Sequence, residues 1–401
     1  MRSLLNRLLL AMAVGHFAVD LNANLLPVML PFLRSSLALS YTQTALVVTC
    51  YTMTSSMVQP IFGYLSDRVG GRWLPVVPIV WMVAFMGSAG YAESYPALIV
   101  LVTLAGLGAA AFHPQGAANA RRAGGVRVAT AVSVFSLGGI AGYSLGPMAG
   151  AAVFTSIGLR GTLLFVPVGL VAALVVAILL AGGTLRGQDP RRLSGEAARE
   201  PVAWGVLGSL LFVVVMRAWV EYGIVAYTPL RFAGELMRSS QLLFFFLLGE
   251  ALGTFLGALA ADSVGRRRVI VASTLLLAPA IYLYNVVPGG LALFAAAILA
   301  GLLLGSSIPV TIVMAQELLP RNVGMASGLM MGFAFGMGGL GIAVNGALAD
   351  RYGLATSLSL LAVLPVLGAV VASTFPASLE GRSSRAALPT RRADQPGPAS
   401  S

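Results

Sequence analysis

Along almost the whole chain, long apolar runs alternate with short polar punctuation. Glycine, proline, arginine and aspartate mark the breaks, and the runs fall near 8–33, 41–64, 73–91, 95–120, 129–156 and 162–183. A polar stretch, TLRGQDPRRLSGEAAREP, follows, and then six more runs near 203–230, 239–261, 269–287, 290–317, 324–349 and 355–376. Each approaches the roughly 20 apolar residues a helix needs to cross a bilayer. The pattern predicts an all-α membrane protein with twelve transmembrane helices in two six-helix halves. Residues 1–183 form the first half, 184–202 a cytoplasmic linker, 203–376 the second half and 377–401 a disordered cytoplasmic tail. The first run has no small-residue cleavage site after a short apolar core, so it reads as a retained helix.

Composition strengthens this picture. Of 401 residues, 58% are hydrophobic and 10% charged, with a mean hydropathy of +0.88; soluble domains carry about 25% charged residues. The net charge of +11 comes with no lysine, so all 25 basic residues are arginines. With the N-terminus inside, only Arg34, Arg160, Arg231, Arg238 and Arg351 fall on outside loops, and Arg217 lies within a span. The remaining arginines are cytoplasmic, as the positive-inside rule requires, so both termini are expected in the cytoplasm. The charge then speaks for membrane orientation rather than for nucleic acid. Cys50 is the only cysteine, which excludes an intrachain disulfide, and no metal-ligand spacing is present.

The two halves repeat one another. YLSDRVGGR (64–72) follows the second span and LAADSVGRR (259–267) the eighth; Asp67 and Asp262, like Pro114 and Pro309, keep the same offset. TSIGL (155–159) and DRYGL (350–354) do so too. A parallel six-span repeat puts the substrate site between the halves, near the bilayer midplane.

Ionisable residues inside spans are expensive, roughly 2.5–3.5 kcal/mol each at the helix centre, and mark function. They are His16 and Asp20 in span one, His113 in span four, Arg217 and Glu221 in span seven, and Glu250 in span eight. His16/Asp20 and Arg217/Glu221 are each four apart and share a helix face. Asp20, tuned by His16, is the expected proton-coupling group, with Glu221 and Glu250 as further candidates. Asn24, His113, Gln115, Asn119, Arg217 and Tyr222 are the expected substrate contacts, with Arg217 holding an anionic or polar group.

GYLSDRVGGR (63–72) resembles the signature loop of the major facilitator superfamily, G-x-x-x-D-R-x-G-x-R. The resemblance implies a gate latch built on Asp67, Arg68 and Arg72, with a weaker copy at Asp262 where Ser263 replaces the arginine. GGIAGYSLGPMAG (138–150) resembles the glycine–proline motif of exporters in that superfamily, which puts Gly146 and Pro147 at a gating position. Its glycines, and those of GFAFGMGGLG (332–341), offer smooth faces for close contact between moving helices. HFAVD (16–20), QPIFGYLSD (59–67), FHP (112–114) and AQELLPRNVGMASGLMMGFAFGMGGLG (315–341) resemble the fosmidomycin-resistance branch. That pattern continues after His-Pro with an acid and then an arginine; here Gln115 and Ala118 stand in those places.

The resemblance implies that spans one, four, seven and ten line the central cavity, and that the protein is a proton-coupled antiporter. It would export a small antibiotic-like or metabolite molecule by alternating access, with the proton gradient in place of a cofactor. A monomer in the bacterial inner membrane, touching lipid and substrate but no nucleic acid, completes the expectation. An importer or facilitator of a sugar or organic acid is the alternative on the same fold. No Ser-His-Asp arrangement or nucleotide loop supports an enzyme.

Overall fold

The computed structural model describes residues 6–69, 74–124, 128–181, 203–319 and 323–376. Among these residues secondary structure is helical and no strand occurs. In hydrocarbon every backbone N–H and C=O needs an internal partner, and a helix supplies its own. The expected linker (184–202) and tail (377–401) lie outside the described residues.

Helices α1 (Arg7–Ala23) and α2 (Leu25–Ser36) form one bent run, and α3 (Tyr41–Met57) and α4 (Gln59–Val69) another. α5 (Val76–Ala89) and α6 (Tyr95–Ala123) follow. α7 (Val128–Ile157) passes through a 3-10 turn at Gly158–Leu164 into α8 (Phe165–Leu180). The second part of the chain holds α9 (Trp204–Arg231), α10 (Leu236–Val264), α11 (Arg266–Val286) and α12 (Gly290–Gly305). α13 (Ile308–Leu318), α14 (Val323–Gly328), a π turn at Leu329–Phe333, α15 (Ala334–Tyr352), α16 (Leu354–Leu360) and α17 (Val363–Ala372) complete it.

Ten runs among the described residues are long and apolar enough to span a membrane, and α5 is a shorter apolar helix. One of the ten, Ala131–Leu180, is 50 residues long. At 1.5 Å per residue it would reach about 75 Å if straight, far beyond a hydrocarbon core of roughly 30 Å. It folds back instead: α1 packs on both α7 and α8, and Gly158 takes φ +68 at the turn between them. Proline explains four of the other interruptions. Pro27, Pro60, Pro309 and Pro365 each follow a break, lack the N–H that residue i−4 needs, and crowd that carbonyl.

Glycine sets the closest packing. A Cβ at Gly138, Gly142 or Gly146 of α7 would strike the carbonyls of Ala13, Phe17 or Leu21 on α1. Thus the exporter-like glycine face of the fifth run seats α1 of the same half of the chain, and its stripe is not a contact with the other half. Gly249, Gly253 and Gly257 of α10 meet the backbone of α12 and the turn after it in the same manner, at Ile298, Leu302 and Ser306. The eleventh run differs. Gly338 and Gly341 of α15 face α9, while Gly336, Gly339 and Gly346 face α3 from the first half. Contacts α3–α15, α7–α10 and α2–α9 join the two parts of the chain.

Candidate functional site

The helical period places His16 and Asp20 on one face of α1, and α6 brings His113 to the same point from 93 positions away. His16 Nε2 lies 3.2 Å from Asp20 Oδ2, and His113 Nε2 lies 3.0 Å from Asp20 Oδ1. All three side chains are half-buried. The His16 ring stacks on Phe135 of α7, centroids 4.0 Å apart, and Gly139 leaves room for the imidazole and carboxylate.

The other nitrogen of His16 decides the protonation chemistry. Nδ1 is 2.8 Å from the carbonyl oxygen of Phe135. A carbonyl only accepts, so Nδ1 carries a hydrogen. If Nε2 were bare, its lone pair would face a carboxylate lone pair 3.2 Å away. One further proton must therefore lie between His16 and Asp20, on either partner. His113 donates from Nε2 to the other carboxylate oxygen, and its buried Nδ1 has no hydrogen-bond partner among the described residues. Three such groups, with ligand atoms within 4.8 Å of one another, can also hold a metal ion. The hydrogen bond from His113 and the ion pair with His16 account for both Asp20 contacts as they stand.

One turn further, α1 stops. The backbone N–H of Asn24 closes on Asp20 O, and its side chain donates to Tyr143 O of α7 at 2.5 Å. Gly146 lies against this break, where a Cβ would sit 3.1 Å from Asn24 Cβ. Asn24 is therefore a buried anchor at the break between α1 and α2, and Pro147 continues as part of α7 beside it.

A second cluster sits on α9. Arg217 and Glu221 are each 4% exposed, yet Nη1 and Oε2 are 3.7 Å apart, too far for a hydrogen bond. Arg217 Nε and Nη1 and Glu221 Oε2 have no hydrogen-bond partner among the described residues. Unmet buried polar groups cost about 1–3 kcal/mol each, more when charged. The guanidinium lies over the Phe335 ring, 5.3 Å from its centroid, and Tyr222 packs edge-on against that ring. Glu250 of α10 is within electrostatic range of Glu221 and Arg217. Tyr143 stands within electrostatic range of Asp20, Glu221 and Glu250.

Other expected contacts go elsewhere. Gln115 donates to Ala111 O at 2.8 Å and to Leu74 O, tying α6 to the start of α5. Asn119 accepts from Arg122 at 3.2 Å, one turn on along α6. Of the expected latch, Asp67 and Arg68 belong to α4 but their side chains are outside the described structure, and Arg72 lies outside the described residues. Asp262 is exposed, and Arg266 beside it pairs with Glu317 at 2.5 Å.

Sequence reasoning missed three groups. Phe135 contributes chiefly a carbonyl, which no side-chain pattern reveals. Phe335 was hidden in a glycine-rich run. Asp350, at the end of the bundle opposite Asp67, accepts from Tyr41 N at 2.8 Å, Thr42 N at 2.9 Å and Thr42 Oγ1 at 2.6 Å. Its visible signals were a carboxylate at the end of one run and a Ser-Tyr-Thr-Gln capping box at the start of another.

Comparison with known proteins agrees with this architecture. The family model of the Major Facilitator Superfamily matches residues 12–243 and 234–396. The chain is 33% identical to the uncharacterized MFS-type transporter YfnC of Bacillus subtilis, over 90% of this chain and 91% of that protein. It is 30% identical to the fosmidomycin resistance protein of Escherichia coli, over 89% and 90% respectively. A bacterial homologue of the human lysosomal transporter Spinster, in an inward-facing and occupied conformation, superposes with a TM-score of 0.76 at 17% identity, covering 93% of this chain and 97% of that one. A multi-pass helical chain with ionisable clusters between its packed runs, matched by this family model over nearly its whole length, belongs to the major facilitator superfamily of membrane transporters.

Proposed function

We propose that the protein is a proton-coupled antiporter that exports a small antibiotic-like or metabolite molecule by alternating access. Counting Ala131–Leu180 as two crossings and α5 as one raises the ten runs to twelve, in two six-helix halves with both termini cytoplasmic. The proposal includes residence in a bacterial inner membrane, a monomeric state and no cofactor beyond the proton gradient. The likeness to a protein named for fosmidomycin resistance supports export.

The observation that carries the coupling role is the His16–Asp20–His113 cluster, which has a place for one labile proton. Its charged and titratable surroundings are Tyr51 of α3 and Tyr143 of α7, together with the two histidines. A proton arriving from outside neutralises Asp20 and weakens its hold on His113. That loosens α1 from α6 just before the break at Asn24. Arg217 then serves as the contact for an anionic or polar group of the substrate, and Glu221 and Glu250 remain the alternative coupling carboxylates.

The test is Asp20→Asn in proteoliposomes with an imposed pH gradient. Asparagine keeps the shape and an accepting oxygen, so substrate exchange at equal pH continues while accumulation against a gradient is lost. Accumulation that persists in Asp20→Asn but disappears in Glu221→Gln or Glu250→Gln moves the coupling role to α9 and α10.

A further inference from the structure

We infer that the α9 cluster recognises a zwitterion, an anionic group on Arg217 and an ammonium group on Glu221 and Glu250. The inference deepens the reading of Arg217 as a substrate contact and rests on it.

Three observations lead there. First, the Arg217–Glu221 pair is buried to 4% exposure on both sides, yet stays 3.7 Å apart with two donor nitrogens and one acceptor oxygen unmatched. A pair that served only to neutralise itself within one helix would close to hydrogen-bond length, because a buried charge gains most from a short, bonded partner. Here both members keep bonding capacity of opposite polarity, so a ligand that completes both needs an acceptor and a donor next to each other.

Second, carboxyl groups outnumber the guanidinium. One guanidinium stands among two carboxylates, since Glu250 is within range of both members of the pair. A ligand carrying an anion alone would meet Glu221 as it approached Arg217. A ligand carrying a cation alone would meet Arg217. A zwitterion satisfies all three groups.

Third, the surroundings are suited to a small organic body. Phe335, Tyr222, Tyr143 and Glu250 are all half-buried. The Phe335 ring already faces the guanidinium at 5.3 Å and meets Tyr222 edge-on at 5.9 Å, which offers an aromatic wall beside the charges.

The test uses three matched ligands that share one ring: phenylalanine, 3-phenylpropionate and 2-phenylethylammonium. Each is titrated against purified full-length protein in detergent, with the melting temperature as readout. Phenylalanine is expected to raise it in a dose-dependent manner, while the anion and the cation each leave it within about 1 °C, since only a bound ligand stabilises. Glu221→Gln is expected to remove the response to phenylalanine and to improve binding of 3-phenylpropionate at least about tenfold, as the competing carboxylate is gone. Arg217→Gln is expected to shift preference to the ammonium compound. Equal responses to all three ligands in the wild type, or none to phenylalanine, would overturn the proposal without reference to any variant's folding. No pH gradient enters the measurement, so failure of proton coupling at Asp20 and failure of zwitterion recognition are read separately.

Discussion

A methyl group at Gly139 would stand 2.5 Å from His16 Nε2 and 2.7 Å from Asp20 Oδ2. Those atoms are the ones between which a proton must lie, so the glycine is a spacer for the cluster. Gly139→Ala should push the imidazole from its stack on Phe135 and lengthen the Asp20 contact. We expect gradient-driven transport to fall at least about tenfold while the melting temperature drops by only a few degrees, as overpacking costs roughly 1–3 kcal/mol. Unchanged uptake at normal protein level would show that the cluster tolerates displacement. The His16–Asp20 pair was readable from its spacing of four. That His113 joins it, and that Phe135 fixes the tautomer, was not: both depend on how α6 and α7 rotate against α1.

At the scale of elements, glycines do two different jobs, and the atoms they face tell them apart. Gly253 of α10 abuts the Leu302 carbonyl, which belongs to a rigid backbone. Gly336 of α15 abuts Met57 Cγ at 2.7 Å, the side chain of a flexible residue on α3. Gly253→Ala should therefore destabilise the fold by roughly 1–3 kcal/mol, seen as a lower melting temperature. Gly336→Ala should cost less because Met57 can swing aside. Gly336→Leu fills the α3–α15 seam, and is expected to leave expression largely intact while transport falls. Normal transport by that variant would mean that the seam does not need to slide or open. The glycine richness of both runs was legible, but which face meets which helix was settled by packing.

For the whole molecule, Asp350 directly ties the two parts of the chain. Its carboxylate satisfies two of the unpaired N–H groups at the start of α3, 309 and 308 positions away. Negative charge at a helix N-terminus is favourable, and Arg34 packs over the Tyr41 ring beside it at 4.0 Å. The contact ties the start of α3 to the end of α15 at the end of the bundle opposite Asp67, and is placed to act as a latch there. Capping bonds are worth about 1 kcal/mol, so Asp350→Ala should raise the share of molecules open at that end about fivefold. The check is thiol labelling of Ala45→Cys, a position that packs on Gly346, in a Cys50→Ser background. Labelling at the same rate with and without the Asp350 carboxylate would remove the latch role.

What the sequence determined by itself was whatever depends on local content. Span positions follow from apolar length, because hydrocarbon accepts only backbones that close their own hydrogen bonds. The His16/Asp20 and Arg217/Glu221 pairs follow from the helical period. The signature loop and the repeat offset pointed to the family for the same reason, being readable residue by residue. The tertiary structure decided everything that depends on the rotation and approach of helices. It turned Gln115 away to Leu74, anchored Asn24 on Tyr143 at the α1–α2 break, gathered His113 and Phe135 around Asp20, and set Asp350 on the far helix start. In lipid all faces of an apolar helix look alike to hydropathy, so orientation is chosen by close packing of small residues against backbone. Such packing involves pairs of residues far apart in sequence, and their meeting exists only once the chain has folded.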